Sequence, residues 1–120
     1  MKIAIPVNEN HIHTTICMSF GRTPYFLIHD IDSKENLFID NSAAASQGGA
    51  GIKAAQMIVD HKAEVLLTPR CGGNAADVLN AAEIKLFKTV TDSLEDNLKA
   101  FEAGLLSPLD EIHPGFHNHG

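Results

Sequence analysis

The sequence predicts an α/β domain: one five-stranded mixed β-sheet with helices packed on it. Three observations carry this reading. Short alternating or β-branched runs dominate residues 1–42. From Gly51 onward, apolar residues recur at helical spacing between short apolar strands. Finally, 120 residues with 44% hydrophobic and 20% charged side chains suit a single core that needs no staples.

The elements follow in order. Ile3, Ile5 and Val7 alternate, giving a first strand over about residues 2 to 7. Pro6 has no amide proton to give a ladder, so it is expected at that strand's end. Aromatic and β-branched residues predict a second strand from Tyr25 to Ile31. The polar run Ser33-Lys34-Glu35-Asn36 is a turn, and Leu37 to Ile39 begins a third strand, closing a hairpin. Ile52, Ala55 and Val59 mark a helix from Gly51 to about Lys62, and Glu64 to Thr68 is a short strand stopped by Pro69. Asn74 is the expected cap of a second helix carrying Ala75, Val78, Leu79 and Ala82. Ile84 to Phe87 is the fifth strand. Asp92 and Glu95 resemble a capping box opening a third helix, with Leu94, Leu98, Phe101 and Leu105 as its apolar stripe and Gly104 near its end. Residues 1–107 form the domain, and residues 108–120 a polar, mobile tail.

Chain order has a functional consequence. With the first three strands as an antiparallel meander and helical crossovers thereafter, the first, fourth and fifth strands run parallel. The loop from Asn8 to Phe20 and the loop from Pro69 to Gly73 then leave the same carboxyl edge of the sheet, where open α/β sheets hold ligands.

Charge and composition exclude several classes of function. A net charge of −6, from 9 basic and 15 acidic residues, argues against nucleic acid as a partner. No apolar run approaches the roughly 20 residues of a membrane span, so no membrane partner is expected. The start Met1-Lys2-Ile3-Ala4-Ile5-Pro6-Val7 turns polar too soon for a signal peptide. A cytoplasmic location follows, with both cysteines as reduced thiols.

The chemistry-bearing residues gather at the predicted ligand edge. Cys17 and Cys71 fall one in each of its loops. Cys71 lies in Thr68-Pro69-Arg70-Cys71-Gly72-Gly73-Asn74, just before a helix. The helix N-terminus and Arg70 favour an anion there, and are expected to lower the thiol pKa toward a metal-ligating thiolate; the alternative is a small buried residue in a tight turn. Gln47-Gly48-Gly49-Ala50-Gly51 opens the preceding helix and could cradle an anion, although it is neither a P-loop nor a dinucleotide fingerprint. Of seven histidines, His29 and His61 read as structural. His11 and His13, as His-x-His in an extended segment, would place both rings on one side and offer imidazole to a metal. His113, His117 and His119 on the tail are further candidate ligands. Nothing supports an enzyme: no nucleophile elbow or His-Glu-x-x-His occurs, and Cys71 has no nameable base or oxyanion partner.

The stretch Ile3-Ala4-Ile5-Pro6-Val7 followed by Phe20-Gly21-Arg22-Thr23-Pro24-Tyr25-Phe26 resembles the dinitrogenase iron–molybdenum cofactor biosynthesis family. The likeness continues through Gly48 to Gly51, the Gly72-Gly73-Asn74-Ala75 turn and the His-rich tail, and so covers essentially the whole chain. It implies a ribonuclease H-like three-layer fold with strand order 3-2-1-4-5, which makes the first and fourth strands neighbours. It also implies a binding or carrier protein for an iron–sulfur or molybdenum–iron–sulfur cluster, or its precursor, working with cofactor-assembly proteins. The fold label does not carry nuclease activity with it. One departure stands out: relatives often carry His before Phe-Gly-Arg, where this chain has Ser19. The expected binding set is therefore Cys17, Ser19, Arg22, Gly49, Arg70, Cys71, Gly72, Gly73 and Asn74, with His11 and His13 assisting. A metal-free module for a small anion or a protein partner is the alternative.

Overall fold

A computed structural model describes residues 1–109, and within it the hydrophobic pattern resolves into two cores separated by a sheet. Strands Lys2–Val7 (β1), Tyr25–Asp30 (β2), Asn36–Asp40 (β3), Val65–Thr68 (β4) and Lys85–Lys88 (β5) stand in the order β3-β2-β1-β4-β5. β1 pairs antiparallel with β2 and β2 with β3, whereas β1 with β4 and β4 with β5 are parallel. Helices Ala50–Asp60 (α1) and Gly73–Ala81 (α2) cover one face over Ala4, Phe26, Ile28 and Leu66. Helix Leu94–Glu102 (α3) covers the other over Ile3, Ile5, Leu27 and Leu67. Because β1 is central, consecutive side chains from Ile3 to Val7 are all buried, odd ones under α3 and even ones under α1 and α2. The predicted fold class and strand order hold. A short 3-10 helix, Ser42–Ala45, joins β3 to α1 and was not predicted.

Several local expectations differ from the structure, each for a physical reason. Pro6 lies inside the central strand, paired with Phe26. It is tolerated because Met1 O accepts from Ile31 N, a phase that turns the even residues of β1 toward β4, and the β1–β4 ladder stops at Ala4. Asn74 does not cap α2: the N-cap is Gly72 in extended conformation, and Asn74 is exposed within the first turn. α3 is capped by Ser93, whose Oγ accepts from Asp96 N at 3.2 Å, not by Asp92 with Glu95. Leu105 falls beyond the helix and is 71% exposed, while Leu106 takes the buried place.

The chain end also does more than expected. Lys88 N donates to Ser107 O and Leu109 N to Leu86 O, with Phe87 bridging Pro108, so residues 107–109 lie along the outer edge of β5. Pro108 and the buried Leu109, assigned above to a tail, are part of the packed body. His113, His117 and His119 lie outside the described residues.

All three helices end alike. In α1, Ala63 N reaches Ile58 O and Lys62 N reaches Val59 O; in α2, Ile84 N reaches Leu79 O and Glu83 N reaches Asn80 O; in α3, Leu105 N reaches Ala100 O and Gly104 N reaches Phe101 O. These paired bonds are Schellman motifs, which need a left-handed residue just past the cap. Only α3 uses glycine there: Gly104 has φ 74°, but Lys62 and Glu83 each sit at φ 62°. A side chain in that region costs about 1–2 kcal/mol, partly offset because it restricts the unfolded chain. Glu83→Gly is therefore expected to raise stability by about 0.5–1 kcal/mol, read as a higher urea midpoint with an unchanged m-value.

Candidate functional site

The site begins where β4 leaves β1. Lys2 O accepts from Glu64 N, and the ladder continues through Ala4 and Leu66. The next acceptor in phase, Pro6 O, takes Cys17 N at 3.0 Å instead of β4. Residues 15–17 thus occupy the sheet position that β4 vacates, with Ile16 bridged antiparallel to Val7 and Thr15 to Ser93. Ile16 packs in the core under α3, so alternation turns Cys17 to the opposite face. Cys71, leaving β4 toward α2, is buried on that same face. The expectation that the two cysteine loops leave the same carboxyl edge holds, and they leave it where connections diverge to opposite sides of the sheet.

Two helix N-termini stand at this edge. A Cβ added at Gly21 would stand 2.9 Å from Gly51 N and 3.1 Å from Gly51 Cα, so the Phe20-Gly21-Arg22 turn lies directly against the first turn of α1. On its other side, Gly51 faces Ala75 of α2, where an added Cβ would meet Ala75 Cβ at 3.5 Å. Gly49, the N-cap of α1 at φ 70°, and Gly72, the N-cap of α2, use no side chain to cap their helices. At Gly48, Gly49 and Gly72 an added Cβ would meet nothing within 4 Å. Adjacent helix starts without side-chain caps leave backbone N–H groups and the positive dipole ends available to an anion.

Surrounding hydrogen bonds hold the loops. Arg22 donates through Nη1 to Ala44 O at 2.8 Å and Ser46 O at 3.1 Å, and its N–H donates to Ser19 Oγ at 3.1 Å. Ser19 and Arg22 thus tie the turn to the 3-10 helix. Buried Asn41 donates from Nδ2 to Gly21 O and Thr23 O. Fully buried Asn97 accepts from Val90 N and donates to Thr91 O and Ser93 O, fixing the loop to which Thr15 and Ile16 attach.

Electrostatics divide the two thiols. Burial pushes the Cys71 thiol up to about 11, opposite to the lowering expected from its helix start and Arg70. At 1% exposed, desolvation of the thiolate outweighs a dipole worth about 0.3–1 kcal/mol at an exposed terminus. Cys71 is a neutral S–H at neutral pH; Cys17 is half-buried and accessible. A thiol reagent under native conditions is expected to label Cys17 and to reach Cys71 only at the rate of unfolding, as peptide mass analysis would show.

The histidines do not converge on this edge. The His-x-His segment is not extended: Thr14 N bonds His11 O in a tight turn. His11 Nε2 lies 3.3 Å from Glu9, and His13 Nδ1 lies 3.0 Å from Glu95 on α3. The two rings are spoken for separately. His61 caps α1 and bonds Met57 O, and buried His29 bonds Asn36 Oδ1 at 2.6 Å. Among the described residues, no group of three or more His, Cys, Asp or Glu side chains is arranged to hold a metal ion. Arg70 is exposed and makes no ion pair among the described residues, while Gly73 and Asn74 form the first turn of α2. Reading residues singly missed Gly21, Asn41 and Asn97. A glycine between Phe20 and Arg22 was the one signal available, and the close approach it serves appears only on folding.

A family model described as "dinitrogenase iron-molybdenum cofactor" matches residues 1–104. Among solved structures, the apo form of the orange protein from Desulfovibrio gigas superposes with a TM-score of 0.86 at 27% identity, covering 91% of this chain and 92% of that one. A Thermotoga protein, provisionally named NifB, matches with a TM-score of 0.81 at 28% identity over 99% of this chain and 98% of its own. An uncharacterised Methanocaldococcus jannaschii protein is 27% identical over 92% of both chains. No described helix is long and apolar enough to cross a membrane. The chain belongs to the dinitrogenase iron–molybdenum cofactor family.

Proposed function

We propose that the protein is a non-enzymatic carrier of an anionic metal–sulfur cluster or its precursor, an iron–sulfur or molybdenum-containing species taken up as cargo in cofactor assembly. The observation that carries this is the meeting of two helix starts without side-chain caps, Gly51 of α1 against Ala75 of α2, at the carboxyl edge from which the Cys17 and Cys71 loops also leave. Backbone N–H donors suit the sulfide surface of a preformed anion. Gly49, Gly72, Gly73 and the Asn74 turn supply donors, and Arg70 supplies positive charge at the rim. Cys17 is the accessible soft ligand, and Cys71 a neutral thiol beneath it. Ser19 and Arg22 shape the turn that walls the site. In this reading the protein works in the cytoplasm and exchanges its cargo with cofactor-assembly proteins.

The test is anaerobic reconstitution with iron and sulfide, or with molybdate and sulfide, followed by metal and sulfide analysis. Wild type is expected to retain metal, Cys17→Ser to retain much less, and Cys71→Ser nearly as much as wild type. Equal metal in all three would remove the thiol from the site, and none in wild type would overturn the carrier reading.

A further inference from the structure

The two edges of the sheet are finished differently. The outer edge of β5 is covered by residues 107–109. The outer edge of β3 is not. Asp30 N donates to Glu35 O and Asn41 N to Pro24 O, so Leu37 and Ile39 turn their peptide groups inward to β2. Asn36, Phe38 and Asp40 turn theirs outward, and no described residue pairs with them. The strand, Asn36-Leu37-Phe38-Ile39-Asp40, contains neither Pro nor Lys, and its single charge, Asp40, stands at its end. Leu37 is 52% exposed, beside an open groove of about 320 Å³ on the hairpin that Lys2, Ile28 and Asp30 help line.

We propose that β3 is a self-association edge, at which a second copy of the chain pairs its own β3 antiparallel about a twofold axis through Phe38. The outward peptide phase admits only registers that oppose Asn36, Phe38 and Asp40 to one another, and this one engages all three. Phe38 faces the partner's Phe38, and Asn36 faces the partner's Asp40, so all three outward-facing residues hydrogen-bond. Leu37 then stands opposite the partner's Ile39 at the rim of the groove, in the close non-hydrogen-bonded pair where side chains touch most. A one-residue slip sets outward peptide groups against inward ones, and an axis through Leu37 or Ile39 engages only two of the three outward residues. A slip that centres the axis on Asp40 sets two carboxylates face to face. The chosen register has no like charges opposed and is self-complementary, as a twofold interface requires. An edge of five residues buries less than the ~1,600 Å² of a standard interface, so the dimer is weak and concentration-dependent. Its antiparallel geometry points the two carboxyl edges in opposite directions and leaves both of them open, so this inference does not depend on the cargo.

Sedimentation velocity of the full chain across a dilution series tests it. Wild type is expected to dimerise at high concentration and dissociate on dilution, while Leu37→Lys stays monomeric with an unchanged thermal midpoint. The register is read by cross-linking in a Cys17→Ser background. Leu37→Cys combined with Ile39→Cys is expected to oxidise to a covalent dimer, because facing residues of such a pair lie ~4.5 Å apart. Leu37→Cys alone is expected to give none. A wild type that is monomeric throughout, a Leu37→Lys variant that dimerises equally, or equal cross-linking by the single and double variants would each overturn the proposal.

Discussion

Gly72→Asp should make the protein more stable and empty of cargo. Gly72 is the N-cap of α2, with φ −72° and ψ 156°, and makes no side-chain capping bond. Those angles suit an N-cap aspartate, whose carboxylate would accept from an N–H of the first turn and face the positive end of the dipole. An added Cβ meets nothing within 4 Å. The gain should be a few tenths to about 1 kcal/mol, visible as a higher Tm. The same carboxylate takes the N–H donors offered to an anionic cluster and adds a like charge beside it, so bound metal and sulfide after reconstitution should fall to background. Because stability and binding move in opposite directions, misfolding cannot mimic the result. A stabilised variant that still holds wild-type metal would show that the helix start is not the cradle.

Gly21→Ala should lower both stability and retained metal. Its new methyl carbon would lie 2.9 Å from Gly51 N, 3.1 Å from Gly51 Cα and 3.3 Å from Ala50 C, all backbone atoms with no rotamer to yield. Overpacking of this kind costs about 1–3 kcal/mol, and the turn must lift away from α1 to relieve it. Chemical denaturation should show that loss, and reconstitution a parallel loss of retained metal. Gly51→Ala is the control on the other side of the contact. Its methyl would meet Ala75 Cβ at an ordinary 3.5 Å, and alanine is the better helix former, so stability should hold or rise slightly. Equal stability of the Gly21→Ala variant and wild type would mean that the turn does not bear on the helix as described.

Much of the architecture was legible in local pattern. Alternation in Ile3-Ala4-Ile5-Pro6-Val7 and the helical spacing of Ile52, Ala55 and Val59 are short-range signals, although α1 buries Ala54, Ala55 and Ile58 and leaves Ile52 43% exposed, and chain order then dictated which strands run parallel. Caps were less legible. Asn74, Asp92 and Glu95 all have capping chemistry, yet Gly72 and Ser93 start the helices, because the path of the incoming chain decides where the first turn can begin. The charge state of Cys71 was misread for a similar reason. Its neighbours in sequence favour a thiolate, but in the fold it is buried in the apolar cluster that includes Ala4, Phe20, Ala75 and Leu79, and desolvation wins.

The sequence by itself determined the sheet, its parity and the edge at which both cysteines emerge, since hydrophobic period and connection handedness depend on short stretches of chain. Which of those residues come near one another depended on packing between distant segments. Cys17 stands beside β1, past the end of the β4 ladder, because Pro6 O is left without its parallel partner, and Gly21 matters because two backbones meet there. His11 and His13 part because a turn sends one ring to Glu9 and the other to α3. Each of these is a contact between segments distant in the chain or a turn closed by packing, and period and composition carry no signal for either.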